Sequence, residues 1–273
     1  MLALVMFLGV FIGAIMGLTG AGGGILAVPV LVSGLNWTMQ QAAPVALISV
    51  ACGAAVGALD GFRMGLVRYK AALLMAVCGV PLTRLGQYWA YLLPQSILLI
   101  LFGMLMVVVA TRFLRFNKGA SDNIGDNFLR LVQISNETGK FIWTLNAALI
   151  LSAIGAMTGL LTGLLGVGGG FLIVPLMRRF TYLSMQGVVA TSLFLITLVS
   201  GGGVVNAISN GAQLPPVETV GFVSAMTVGM LIGRRVTQYL KPVQIQIGFG
   251  LLLAFVSLYM LAKGCLLYFQ IEL

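Results

Sequence analysis

Long apolar runs, separated by short clusters of glycine, proline and charge, make up most of the chain. They fall at about 2–19, 25–34, 42–60, 70–92 and 95–114, and again at about 143–164, 171–178, 187–208, 215–233 and 243–267. Most approach the roughly 20 residues that a helix rising 1.5 Å per residue needs to cross a hydrocarbon layer about 30 Å thick. They are continuously apolar, without the alternation of a barrel strand, so they predict helices. The run 25–34 would span only about 15 Å as a helix. It reads either as a short crossing or as one arm of a re-entrant hairpin with a glycine cluster at depth. A polar stretch at 115–141 is the one candidate linker, and Phe128–Val132 within it could form a short interfacial helix. The chain then divides into a first membrane repeat at 1–114, a cytoplasmic linker at 115–141 and a second repeat at 142–273. The amino terminus has no basic segment before its apolar run, so it reads as the first membrane element and not as a removed signal peptide.

The two halves repeat. Gly9, Gly13, Gly17, Gly20, Gly22, Gly23, Gly24 and Pro29 recur 146 positions later as Gly155, Gly159, Gly163, Gly166, Gly168, Gly169, Gly170 and Pro175. The same offset carries Gln40 to Gln186, Gly57 to Gly203 and Asp60 to Asn206, and it then drifts, with Phe102-Gly103 answering Phe249-Gly250. One shared glycine would mean nothing in a glycine-rich chain; eight positions at one offset mark a duplication.

Charge sets the relative orientation of the halves. Arg63, Arg68 and Lys70 lie in a loop whose second-half counterpart has no basic residue, whereas Arg178-Arg179 and Arg234, Arg235 and Lys241 lie in loops whose first-half counterparts have none. Equivalent loops of opposite character are expected of halves inserted upside down relative to each other. With five elements per half, every Lys and Arg except Arg84 and Lys263 falls on one side; with four, the basic residues divide between both. The expected fold is therefore an all-α polytopic membrane protein. It has two inverted repeats of about five helical elements each, with broken or re-entrant helices at the glycine clusters. Both termini lie outside and the linker lies in the cytoplasm.

Composition narrows the function. Of 273 residues 60% are hydrophobic and 8% charged, a surplus of apolar surface that a soluble domain could not bury. The formal charge of +9 sits between membrane runs, where it reports orientation and not nucleic-acid binding. The absence of histidine removes the usual acid–base and metal-ligand chemistry, and Cys52, Cys78 and Cys265 are scattered singly in apolar runs. No P-loop appears. No enzyme, cofactor or metal is expected; the partners are a small-molecule anion and the lipid bilayer, with homo-oligomerisation left open.

Gly9, Gly13 and Gly17 share a helix face and predict close helix packing. The clusters Gly22-Gly23-Gly24 and Gly168-Gly169-Gly170 break the helix and leave bare N–H groups at the start of the next one. A helix amino terminus at membrane depth carries partial positive charge and suits an anion; a purely structural kink is the competing reading. Gly23 and Gly169 are expected at the closest backbone approach to substrate. Arg84 lies inside the fourth run, where an arginine is costly, and is the expected countercharge, with snorkelling as the alternative. Asp60 and Arg63 are expected to pair at the interface.

The motif Gly13-x3-Gly17-Leu18-x-Gly20-x-Gly22-Gly23-Gly24-x4-Pro29 and its copy around Gly159–Pro175 resemble the TauE/SafE family of bacterial transporters. The resemblance extends over nearly the whole chain and includes Ala190-Thr191-Ser192-Leu193, where the first half has Pro44-Val45-Ala46-Leu47. It implies a bacterial inner-membrane exporter of sulfite, sulfoacetate or related organosulfonates. Thr191 and Ser192 then become candidate substrate contacts from one half only, although back-bonding to their own helix is equally expected. A passive anion channel, or an importer of a different small carboxylate or sulfur oxyanion, is the alternative.

Overall fold

The computed structural model describes residues 2–20, 22–115, 144–181, 183–212, 214–239 and 242–272. The stretch 116–143, which holds nearly all of the expected linker and its interfacial helix, lies outside the described residues. So do the side chains of the basic residues Arg115, Lys118, Arg130, Lys140 and Lys241.

Among the described residues ten α-helices follow in order: α1 (Leu2–Thr19), α2 (Ala27–Gly34), α3 (Met39–Arg63), α4 (Tyr69–Leu92), α5 (Gln95–Arg115), α6 (Leu145–Leu165), α7 (Gly170–Phe180), α8 (Met185–Ser209), α9 (Pro216–Val236) and α10 (Pro242–Glu272). The protein is an all-α, multi-pass membrane protein. Among the described residues seven helices (α1, α3, α5, α6, α8, α9 and α10) are long and apolar enough to cross a membrane. The helix α2 has only 8 residues, preceded by a 3-10 turn at Gly23–Leu26, and α7 has 11. At 1.5 Å per residue they reach about 12 and 16 Å, short of a crossing.

Local sequence explains the boundaries. Thr38 caps α3 in a reciprocal box with Gln41, and Ser184, 146 positions on, caps α8 by accepting from the Gly187 N–H at 3.2 Å. Thr144 does the same for α6. These caps satisfy donors that would otherwise be exposed in an apolar medium. Outward faces carry large exposed apolar side chains such as Phe7, Val77 and Phe255, a surface made for lipid.

Packing follows the duplication. The helix α1 lies along α9, α6 along α4, α3 against α8 and α5 against α10. The first two crossings match residue for residue. Gly9, Gly13 and Gly17 of α1 meet the carbonyls of Phe222, Met226 and Met230, while Gly155, Gly159 and Gly163 of α6 meet those of Met75, Gly79 and Thr83. Each approach is too close for any Cβ, so glycine is what permits the contact. In return, Gly233 and Gly86 sit on the carbonyls of Ala14 and Leu160. This register sets the offset between α4 and α9 at 147, which pairs Arg84 with Leu231.

Helix directions can be read from the same contacts. On α1 and α9, and on α6 and α4, numbers rise together. On α3 and α8 they oppose, since Gly57 meets Leu193 and Gly61 meets Ala190. They oppose again on α5 and α10, where Gly103 meets Leu261 and Gly250 meets Leu114. The matched helices α3 and α8, and α5 and α10, therefore run antiparallel to each other.

Candidate functional site

The two glycine clusters form the turns between α1 and α2 and between α6 and α7, and the structure brings these tips together. Val50, midway along α3, touches both: its methyls lie 3.1 Å and 3.2 Å from where a Cβ of Gly24 would be, and one stands 2.7 Å from that of Gly168. Gly168 also faces Ile196, the residue matching Val50 at the 146 offset, and the Val167 carbonyl lies 3.5 Å from the Gly24 position. Two half-helices thus start beside each other at the middle of the bundle.

The tips differ in build. Gly20 and its mate Gly166 both take the left-handed conformation that glycine adopts without strain, with φ of 83° and 71°. Only the second tip adds two more such residues, Gly168 and Gly169. In the first, Gly22 is helical and accepts from the Ile25 N–H at 3.2 Å, and the N–H groups of Gly23 and Gly24 have no partner among the described residues. In the second, Gly169 caps α7 directly and has no side chain to offer. The Leu172 and Ile173 N–H groups bond the Gly169 carbonyl, and those of Gly170 and Phe171 have no partner among the described residues. A helix start with unpaired donors and no cap favours negative charge.

What surrounds each tip differs more. A Cβ at 169 would lie 2.8 Å from Thr162 Oγ1, and one at 168 would lie 3.1 Å from Ser200 Oγ. Thr158 packs its methyl on Gly169. Thr158, Thr162 and Ser200 are all fully buried, and none of their hydroxyls has a hydrogen-bond partner among the described residues. A hydroxyl left unpaired in an apolar interior costs on the order of 1–3 kcal/mol, so three together are unexpected in a region built only for packing. Their 146-offset mates are Ile12, Met16 and Ala54, equally buried and wholly apolar. A narrow cleft lined by Gln40, Ala43, Pro44, Gln87, Gly163 and Leu164 opens beside this tip, with Gly163 next to Thr162.

The other expected site residues are placed as follows. Gly22, Gly23 and Gly24 are buried at the first tip, but a Cβ at 23 would lie 2.8 Å from the Ile15 carbonyl carbon and nearer still to the Met16 backbone. Gly169 likewise meets Thr158 and Thr162, so both expected points of substrate approach are packing contacts in this structure. Arg84 stands apart: it is exposed on α4, whereas its neighbours Thr83 and Gln87 face the α6 and α8 contacts. Thr191 and Ser192 are fully buried about two turns into α8, Thr191 against the 64–68 loop and Ser192 against Met177 of α7. The Thr191 hydroxyl accepts from the Arg68 N–H at 3.1 Å, and that of Ser192 donates to the Val188 carbonyl at 2.7 Å. The second basic residue within a run, Lys263, donates to the Val32 carbonyl at 3.3 Å near the end of α2, where a cation complements the helix dipole.

Asp60 pairs across helices. Its Oδ2 lies 2.8 Å from Arg234 Nη1 of α9 in a close ion pair without hydrogen-bond alignment, whereas Arg63 is 4.0 Å away. The matching positions are Asn206 and Gln87, and there the Asn206 amide donates to the Gln87 carbonyl oxygen while Gln87 donates to the Gly203 carbonyl at 2.9 Å. The duplication thus holds an ion pair at one end of the bundle and an amide pair at the other.

The sequence matches the model of the sulfite exporter TauE/SafE family over residues 5–260. It is 28% identical over 212 residues to the "Probable membrane transporter protein YunE" of Bacillus subtilis, covering 75% of this chain and 77% of that one. It is 28% identical to a "Probable membrane transporter protein" of Xylella fastidiosa, over 69% of this chain and 67% of the relative. A similarly named protein of Methanocaldococcus jannaschii aligns over 96% of both chains at 22% identity. No solved structure matches significantly.

Proposed function

Because the chain belongs to the sulfite exporter TauE/SafE family and is a membrane transporter, we propose that it is a secondary transporter exporting small oxyanions of sulfur, sulfite or organosulfonates such as sulfoacetate, across the bacterial inner membrane. The observation that carries the reading is the meeting of two glycine-capped half-helices at Val50 in the middle of the bundle. Helix starts at midplane depth offer N–H donors and positive dipole ends to an anion that has lost its water.

The proposed mechanism is alternating access between two inverted repeats, 1–114 and 142–273, joined by a cytoplasmic linker at 115–141 with both termini outside. The antiparallel course of α3 against α8 and of α5 against α10 supports it, as does the clustering of Arg63, Arg68, Arg178 and Arg234 at one end. The Asp60–Arg234 ion pair and the Asn206–Gln87 amide pair tie together the two ends of the bundle. Opening one end while the other stays tied would expose the tips to each side in turn. The test is efflux from proteoliposomes loaded with sulfite, sulfoacetate, taurine, thiosulfate or acetate, with and without an imposed pH gradient. Efflux of the sulfur oxyanions above protein-free vesicles is expected. Movement of acetate alone would contradict the proposed substrate class.

A further inference from the structure

We propose that one half alone grips the anion: the substrate oxygens are held by the unpaired N–H groups of Gly170 and Phe171 at the start of α7 together with the hydroxyls of Thr162 and Ser200. The inference rests on the reading of this chain as a small-anion transporter and adds two hydroxyls to the glycine cluster that reading already uses.

The case for a ligand comes from comparing the tips. Both halves set a hairpin on the same glycine-lined crossing, so what that crossing needs for packing is present in each. The first half supplies it with Ile12, Met16 and Ala54. The second places three hydroxyls at the matched positions, buries them completely and pairs none of them. Packing does not require them there, and no protein group among the described residues satisfies them. Thr162 Oγ1 and Ser200 Oγ are aimed at the Gly169 and Gly168 positions that lead into α7, whose first two N–H groups also lack partners. The four groups, two N–H and two hydroxyls, can all donate to oxygen, and they come from three helices. Donors converging from three directions suit an anionic head with three oxygens, such as sulfite or a sulfonate, better than a planar carboxylate with two. In this structure Gly168 and Gly169 lie directly on the hydroxyls, so the site is closed. The cleft at Ala43, Pro44, Gln87 and Gly163 lies against the same stretch of α6 and is the proposed way in.

The experiment measures binding of sodium sulfite and sodium methanesulfonate to the purified full chain in detergent by titration calorimetry, with thermal melting run in parallel. Thr162→Val and Ser200→Ala each remove one hydrogen bond to a charged ligand and should weaken binding about tenfold or more. Anion-free melting should be unchanged or raised, because each removes an unpaired hydroxyl. Thr162→Ser should retain affinity to within about threefold, and Ala54→Ser at the matched first-half position should leave binding unchanged. Wild-type protein that binds neither anion would remove the small-anion reading and this site with it. Wild type that binds while Thr162→Val and Ser200→Ala bind equally well would overturn the hydroxyl site alone. Should Thr162→Val not fold, Ser200→Ala by itself decides between these outcomes. Equal weakening by Ala54→Ser and Ser200→Ala would place both halves in the site and refute the one-sided grip.

Discussion

Gly159→Ala and Gly201→Ala make the same chemical change, yet the structure gives them opposite signs. At 159 the added Cβ would lie 2.6 Å from the Gly79 carbonyl carbon and closer to its oxygen, against about 3.4 Å for ordinary contact. The obstacle is the backbone of α4, which has no rotamer to change, so α4 and α6 must part by more than an ångström. Overpacking of this kind costs about 1–3 kcal/mol. The neighbouring approaches at Gly155 and Gly163 loosen with it, which places the expected loss near the top of that range. The smaller unfolded-state entropy of alanine returns about 0.5–1 kcal/mol. At 201 nothing lies within 4 Å of the new methyl, so only that gain remains. The two variants should differ by about 3 kcal/mol, more than a hundredfold in the unfolding equilibrium. Dodecyl-sulfate titration of the purified protein in detergent micelles, followed by circular dichroism, reads this difference. Gly13→Ala should cost as much as Gly159→Ala, because the crossings match. If Gly159→Ala unfolds within about 0.5 kcal/mol of the parent, the close α4–α6 approach does not exist as described.

Arg84→Gln should leave anion binding within about twofold of wild type, since the side chain is exposed on α4 away from the tips; a tenfold loss would restore it as the countercharge. Asp60 and Arg234 are each about one-third exposed, so Asp60→Asn should cost less than about 1 kcal/mol. The double variant Asp60→Asn with Arg234→Gln recreates the Asn206–Gln87 amide pair and should recover most of that loss. A double-mutant cycle with no coupling would separate the two side chains. Reporter fusions at Lys118 and after Leu273 should report opposite compartments, and the same compartment for both would remove the five-element count and the inverted arrangement.

The duplication was legible because glycine marks it. Backbone contact between helices tolerates no other residue, so Gly9, Gly13 and Gly17 and their copies persist at one spacing. The register between α4 and α9 was not legible, because Gly79 matches Met226 and Thr83 matches Met230, positions with little in common until the carbonyls they offer are seen. Arg84 could have been placed on the outer face from periodicity: Gly79, Thr83, Gly86 and Gln87 share the packed stripe, and Arg84 falls off it. Thr191 and Ser192 enter through the family resemblance; the structure spends the Thr191 hydroxyl on the Arg68 N–H, and no local pattern announces a loop contact 123 residues away. The hydroxyls of Thr158, Thr162 and Ser200 left one readable signal, the contrast between polar residues in the second half and Ile12, Met16 and Ala54 in the first. A threonine in an apolar helix ordinarily bonds its own backbone, as Thr83 does with Gly79 at 3.0 Å. That default hides an unpaired one until the coordinates show it.

Whether the tips carry a sulfur oxyanion by alternating access is decided by counterflow. Proteoliposomes holding the purified chain are loaded with unlabelled sulfite or methanesulfonate and diluted into trace labelled anion, and uptake is followed with and without internal load. Alternating access predicts transient accumulation of label that requires the internal anion, saturates with its concentration and is lost in Ser200→Ala. Label that equilibrates at a rate linear in concentration, indifferent to internal load and accompanied by membrane conductance, would identify an open anion pathway and contradict it.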